Sequence, residues 1–167
     1  MIKFQLLSQF LKDFHFESPN VPELFFAQNN SQAKLEINVD VQIKGSENSI
    51  YMVDLLIGLH SKLEKDDKSV FMIKSNYSGL VQIETTENEE ELRKTLVIDI
   101  PQLLFPSIRS LILQITHESG FPVVSMPQID FAELYENKST QNIDELIHKD
   151  VNIKNSHKKR TESFFES

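Results

Sequence analysis

Leu35-Glu36-Ile37-Asn38-Val39-Asp40-Val41-Gln42-Ile43-Lys44 alternates apolar and polar side chains without a break. Leu35, Ile37, Val39, Val41 and Ile43 share one side, and the polar residues share the other, as in a strand with one covered and one wet face. Gly45-Ser46-Glu47-Asn48-Ser49 follows with turn chemistry. Two further apolar segments, at about 50–63 and 69–84, are joined by the polar Glu64-Lys65-Asp66-Asp67-Lys68. Ahead of them, residues 3–16 read as a strand with Phe4, Leu6, Phe10, Phe14 and Phe16 on one face, and Gln5, Gln9, Asp13 and His15 on the other. Pro19 and Pro22 bracket the loop that closes it. Strands joined by short polar turns predict an antiparallel sheet.

The third and fourth strands are apolar on both faces. Tyr51, Val53, Leu55, Ile57 and Leu59 are backed by Ile50, Met52 and Leu56, and Phe71, Ile73 and Tyr77 by Val70 and Met72. A sheet covered on one side has no need of the second set. The surplus predicts an interface between copies, a binding surface, or both. After the acidic run Glu87-Asn88-Glu89-Glu90-Glu91, Leu104, Phe105, Ile108, Leu111, Ile112 and Ile115 recur as one stripe of a helix. Pro106 suits a first turn, so the helix is expected to begin near it and to stop at Gly120. Asp130 and Glu133 open a second helix carrying Phe131, Leu134 and Tyr135. The expectation is an α+β fold: a four-stranded antiparallel sheet, a long helix and a second C-terminal helix. Residues 1–136 form the domain, and 137–167 a polar, flexible tail with the basic Lys158-Lys159-Arg160. Phe10, Phe14 and Phe105 are expected in the core.

Composition narrows the chemistry. The 167 residues carry a net charge of −8, with 40% hydrophobic residues and no cysteine. The acidic excess lies in residues 1–136; the remainder is slightly basic. Such a body repels nucleic-acid phosphates and anionic lipid and attracts basic surfaces, so neither nucleic-acid binding nor membrane insertion is expected. Without cysteine there is no disulfide framework, thiolate metal site or cysteine nucleophile. The start of the chain lacks the pattern of a secretory signal, and the longest unbroken apolar run, Leu55 to Leu59, is too short to span a bilayer. A cytoplasmic location is expected.

Catalytic machinery is not visible. The five histidines do not pair at helical spacing around a glutamate, the four glycines are isolated rather than gathered into a phosphate loop, and no Gly-x-Ser-x-Gly elbow occurs. His117-Glu118, Asp66-Asp67 and Glu89-Glu90-Glu91 read as solvated charges. No catalytic residue, metal ligand or cofactor is expected. Adaptable methionines (Met52, Met72, Met126) and twelve phenylalanines point instead to a surface that binds chains.

Two stretches carry a family resemblance. Asp13-Phe14-His15-Phe16-Glu17-Ser18-Pro19-Asn20-Val21-Pro22 is one. The other is Leu103-Leu104-Phe105-Pro106-Ser107-Ile108-Arg109, continued by Gly120-Phe121-Pro122 and Ile129-Asp130-Phe131-Ala132-Glu133-Leu134-Tyr135. In this order and spacing, over residues 3 to 136, the chain resembles the SecB family of protein-export chaperones. The resemblance implies a homotetramer built as a dimer of dimers, with sheet edges and the long helix at the subunit contacts. It implies a cytoplasmic chaperone that holds unfolded precursor proteins in apolar grooves and delivers them to the SecA translocase motor. Carried over by position, Asp13, Glu17 and Met72 fall on the SecA-binding site, while Lys74 stands where the family has a further acid. Met52, Phe71, Phe131 and Tyr135 are the expected client-groove residues. Two alternatives stay open: a SecB-like chaperone dedicated to one partner, such as an antitoxin, and a small-ligand enzyme on the same sheet.

Overall fold

The computed structural model describes residues 2–26, 32–45, 48–84, 88–122 and 124–138. Four long strands, β1 (Phe4–Glu17), β2 (Ala33–Gly45), β3 (Ile50–Leu63) and β4 (Ser69–Ile83), form one antiparallel sheet in the order β1-β4-β3-β2. Strand β1 thus crosses the sheet to pair with β4, and β1 and β2 are its two edges. A one-turn helix, α1 (Glu23–Phe26), lies in the β1–β2 connection. After the sheet come α2 (Glu89–Lys94), a five-residue π-helical stretch at Thr95–Asp99, α3 (Ile100–Glu118) and α4 (Phe131–Lys138). The expected fold class is the observed one.

The register sorts the side chains. Val53, Leu55, Ile57 and Leu59 of β3, with Ile73 and Val81 of β4, face the helix layer and are almost fully buried. They pack against Ile100, Leu104, Phe105, Ile108 and Ile112 of α3, each at most 1% exposed. Burying such side chains stabilises by about 1.5–3 kcal/mol apiece, so this interface dominates the fold. Helix Glu89–Glu118 is long and apolar enough to cross a membrane by length and composition alone. Its buried stripe instead completes the core of the sheet.

The helix begins earlier than Pro106. Asn88 caps it, its side chain accepting from the backbone N–H groups of Glu90 and Glu91, and the acidic run supplies a first turn that favours negative charge. Pro106 lies inside α3. Pro101, at the start of α3, lacks the N–H that Val97 would otherwise receive, and the π-helical stretch lies directly before it, with Ile100 N–H reaching back to Thr95 O. Gly120, at φ 83°, ends α3 as expected. Asp130 caps α4 by accepting from Ala132 N and Glu133 N. Helix α4 extends to Lys138; the tail from 139 onward, with its basic run, lies outside the described residues.

Strand β1 corrects the simple alternation. Its pairing with β4 shifts between Leu6 and Ser8 and again between Leu11 and Asp13, so Leu7 and Lys12 are bulge residues. Each extra residue exchanges the faces. Leu6, Phe14 and Phe16 keep the helix side, but Phe10, opposite Ser78, turns to the outer face and is 38% exposed. Phe10 is therefore not a core residue; Phe14 is half-buried and Phe105 fully buried. Met126, expected among the adaptable surface methionines, is likewise buried in the core.

Candidate functional site

Three surfaces stand out. On the outer face, the last residues of β1 run Asp13, His15, Glu17, directly opposite Asn76, Lys74 and Met72 of β4. Asp13 and Glu17 are exposed and about 13 Å apart along the strand, two pleats on the same face. His15 Nε2 lies 3.7 Å from Glu17 Oε2. Glu17 is the strand partner of Met72, so the three residues expected at the motor site share one strip. Exposed Lys74, opposite His15, sits between the two carboxylates and dilutes the strip's negative charge.

The second surface is an aromatic ladder at the end of the sheet where β1 stops and β4 starts. Phe16 stacks on Phe71 with centroids 6.1 Å apart, Phe71 meets Phe121 at 6.0 Å, and Phe121 stacks on Phe25 at 5.2 Å. Phe71 is buried, whereas Phe25 and its neighbour Phe26 are 53% and 78% exposed. The rings thus lead from the core to solvent. The Ser18-Pro19-Asn20-Val21-Pro22 segment holds the outer rungs in place. Ser18 Oγ donates to Val70 O at 2.7 Å, Asn20 Nδ2 donates to Ser69 O at 2.9 Å, and Asn20 O accepts from Leu24 N of α1. Phe25 also lies against Gly120, where a Cβ would be in ordinary contact with the ring at 3.4 Å.

The four expected groove residues are not gathered together. Phe71 forms the base of the ladder. Phe131 is buried edge-on against Phe105, and Tyr135 is half-buried on α4. Met52 lies on the outer face, paired with Lys44 and Leu80. No binding role was expected for the outer rungs, exposed Phe25 and half-buried Phe121, or for exposed Phe26 beside them. The Leu24-Phe25-Phe26 run after the second proline was the available signal.

Between these surfaces the outer face holds a buried charge. Asp54 of β3 is 1% exposed. It accepts a short hydrogen bond from the Ser78 hydroxyl, and Lys12 Nζ and Lys44 Nζ lie 3.2 and 3.6 Å from Oδ2. Burial alone would push the carboxyl up, but Ser78 and the two ammonium groups outweigh it and hold the acid below its ordinary value.

The third surface is the free edge of β1. Phe4, Leu7, Phe10 and Leu11 are each at least 37% exposed along it, and Leu103 of α3 is 46% exposed. At the opposite end of the sheet from the ladder, Lys3, Gln5, Asn48, Gln82 and Glu84 line an open depression of about 520 Å³. Among the described residues no group of three or more His, Asp or Glu could hold a metal.

Comparison with known proteins adds ancestry to this geometry. Residues 1–142 match the family described as preprotein translocase subunit SecB. The protein-export protein SecB of Caulobacter vibrioides is 34% identical over 137 residues, covering 82% of each chain. That of Anaplasma phagocytophilum is 31% identical over 154 residues, covering 85% of this chain and 96% of its own. Among solved structures, a Mycobacterium tuberculosis SecB-like chaperone in complex with a ChAD peptide from the HigA1 antitoxin has the same fold. Its TM-score is 0.61 at 14% identity, with 75% of this chain and 90% of that chain covered.

Proposed function

The chain belongs to the SecB family, and on that premise we propose that it is a cytoplasmic protein-export chaperone that holds precursor chains unfolded and delivers them to SecA. The observation that carries the reading is the aromatic ladder, which ends in exposed Phe25, with exposed Phe26 next to it, beside a pinned loop. An unfolded precursor offers scattered aromatic and aliphatic side chains with no fixed shape. Rings in an open row bind such segments by area and tolerate sequence change, which a tailored pocket does not. Holding and release by this route require no bond-making group and no cofactor.

Asp13 and Glu17, with Met72 beside them, are the docking strip for SecA. Two exposed carboxylates on an acidic body steer a basic partner, and the apolar side chain gives it contact area. The exposed apolar residues of the β1 edge and Leu103 support self-assembly into a homotetramer, since a bare edge strand is a template for another copy. Phe71 and Phe131 serve the groove from beneath, as its floor, while Met52 and Tyr135 are available at the surface.

The test is a refolding assay without nucleotide. The purified protein is expected to arrest an unrelated slow-folding chain, and Phe25→Asp with Phe26→Asp to abolish the arrest while leaving the fold intact. Refolding at the uncatalysed rate in the presence of the unmutated protein would overturn the reading. Asp13→Lys with Glu17→Lys is expected to weaken SecA binding and spare client holding; equal loss of both would remove the strip from the docking role.

Lys74 favours a second reading, a SecB-like chaperone dedicated to one partner such as an antitoxin, because it weakens the acidic strip. Pull-down separates the two: a general exporter retains many envelope precursors, a dedicated chaperone a single protein.

A further inference from the structure

Phe4, Leu6, Phe10, Phe14 and Phe16 are evenly spaced for an unbulged strand, yet β1 does not use that alignment. Uninterrupted alternation back from Phe14 would place Lys12 on the helix side, opposite Tyr77, where half-exposed Leu11 now stands. A lysine there would stand on the opposite face of the sheet from Asp54 and lose that partner. The observed bulge at Lys12 turns its side chain to the outer face instead, where Nζ meets Asp54 at 3.2 Å. A second bulge at Leu7 restores Phe4 and Leu6 to the helix side, so only Ser8–Leu11 are reversed. Asp54 is a buried acid on the open face of the sheet. Its partners come from all the other strands, Lys12 from β1, Ser78 from β4 and Lys44 from β2.

We propose that Lys12 and Asp54 form a register lock that holds β1 in its twice-bulged alignment and so decides which apolar side chains its edge offers to a second copy of this chain. With the lock closed, Phe10 faces outward and Leu11 faces the helix side. With it open, the strand slides to the unbrokenly alternating alignment and the two exchange. Lys12 and Asp54 are positioning residues, acting through the backbone of β1. The assembly consequence rests on the edge-pairing reading above; the lock itself does not.

The absence of cysteine makes the register directly readable. Gln5 and Gln82 are cross-strand partners, both exposed, whereas in the alternating alignment Gln5 would stand opposite Glu84. Gln5→Cys with Gln82→Cys is expected to form a disulfide readily in the Lys12 and Lys12→Arg proteins, and Gln5→Cys with Glu84→Cys is not. Lys12→Met keeps the apolar stem, leaves Asp54 with Ser78 and Lys44, and is expected to shift crosslinking toward the second pair. The same variant without cysteines is expected to self-associate about tenfold more weakly, with Lys12→Arg close to unchanged. If Lys12→Met leaves the Gln5–Gln82 crosslink undiminished, the lock is overturned. A shifted crosslink with assembly intact keeps the lock and overturns the reading that copies meet at the β1 edge. Should Lys12→Met fold poorly, Asp54→Asn opens the lock from the other side and is read with the same two cysteine pairs.

Discussion

Asp54 shows why single residues resist reading in one dimension. In the sequence it is a polar position between Val53 and Leu55, and its partners stand 42 and 24 residues away at Lys12 and Ser78. Its ionised form is favoured on folding, so its stabilisation is present above the ordinary carboxylate pKa of about 3.9 and is lost as pH falls through the lower folded value. Asp54→Asn is therefore expected to lower stability by about 1–3 kcal/mol at pH 7 and by progressively less as the pH falls below the ordinary carboxylate range, as measured by urea unfolding across that range. Arg109 carries the same lesson. Its place in the Leu-Phe-Pro-Ser-Ile-Arg motif was plain, but not its task, which is to donate Nε and Nη2 to Met126 O at 3.2 and 2.9 Å and fasten the α3–α4 connection to the helix. Arg109→Met is expected to speed proteolysis within residues 121–130 before the sheet is attacked.

At the scale of elements the sequence was legible where periodicity was strong. Strands β2, β3 and β4 lie where alternation and polar turns put them, because one-sided burial enforces a period of two. Reading failed where that period was locally broken. The bulges in β1 are invisible to a count of alternating positions, and the start of α3 was misjudged because a proline at a helix interior looks like one at a first turn. Short α1 escaped notice because it buries none of its residues. Where helix meets sheet, Gly79 leaves no room for a side chain: a Cβ there would lie 3.0 and 3.2 Å from the two methyl carbons of Leu104 and 3.4 Å from Leu6. Gly79→Ala is expected to destabilise by about 1–3 kcal/mol, read as a lower urea midpoint with unchanged slope.

For the whole molecule, the two-sided apolar sheet pointed to unfinished burial, and the exposed apolar residues lie mainly at the β1 edge and at the outer end of the ladder whose base is Phe71. The aromatic rungs come from β1, α1, β4 and the segment after α3, a meeting that no local pattern announces. Leu7→Lys with Leu11→Lys places like charges on the bare edge and is expected to yield a smaller species in sedimentation at micromolar concentration, with circular dichroism unchanged.

Helix α1 is tied at its root by Ser18 and Asn20, and above that root by the Phe25–Phe121 stack and by half-buried Leu24, which packs against the core. An element with no buried residue is inexpensive to detach, and swinging it aside would bare the far side of Phe121 without disturbing the sheet. The aromatic surface left open beside it would then grow or shrink with the position of α1, at little cost to the scaffold that carries it.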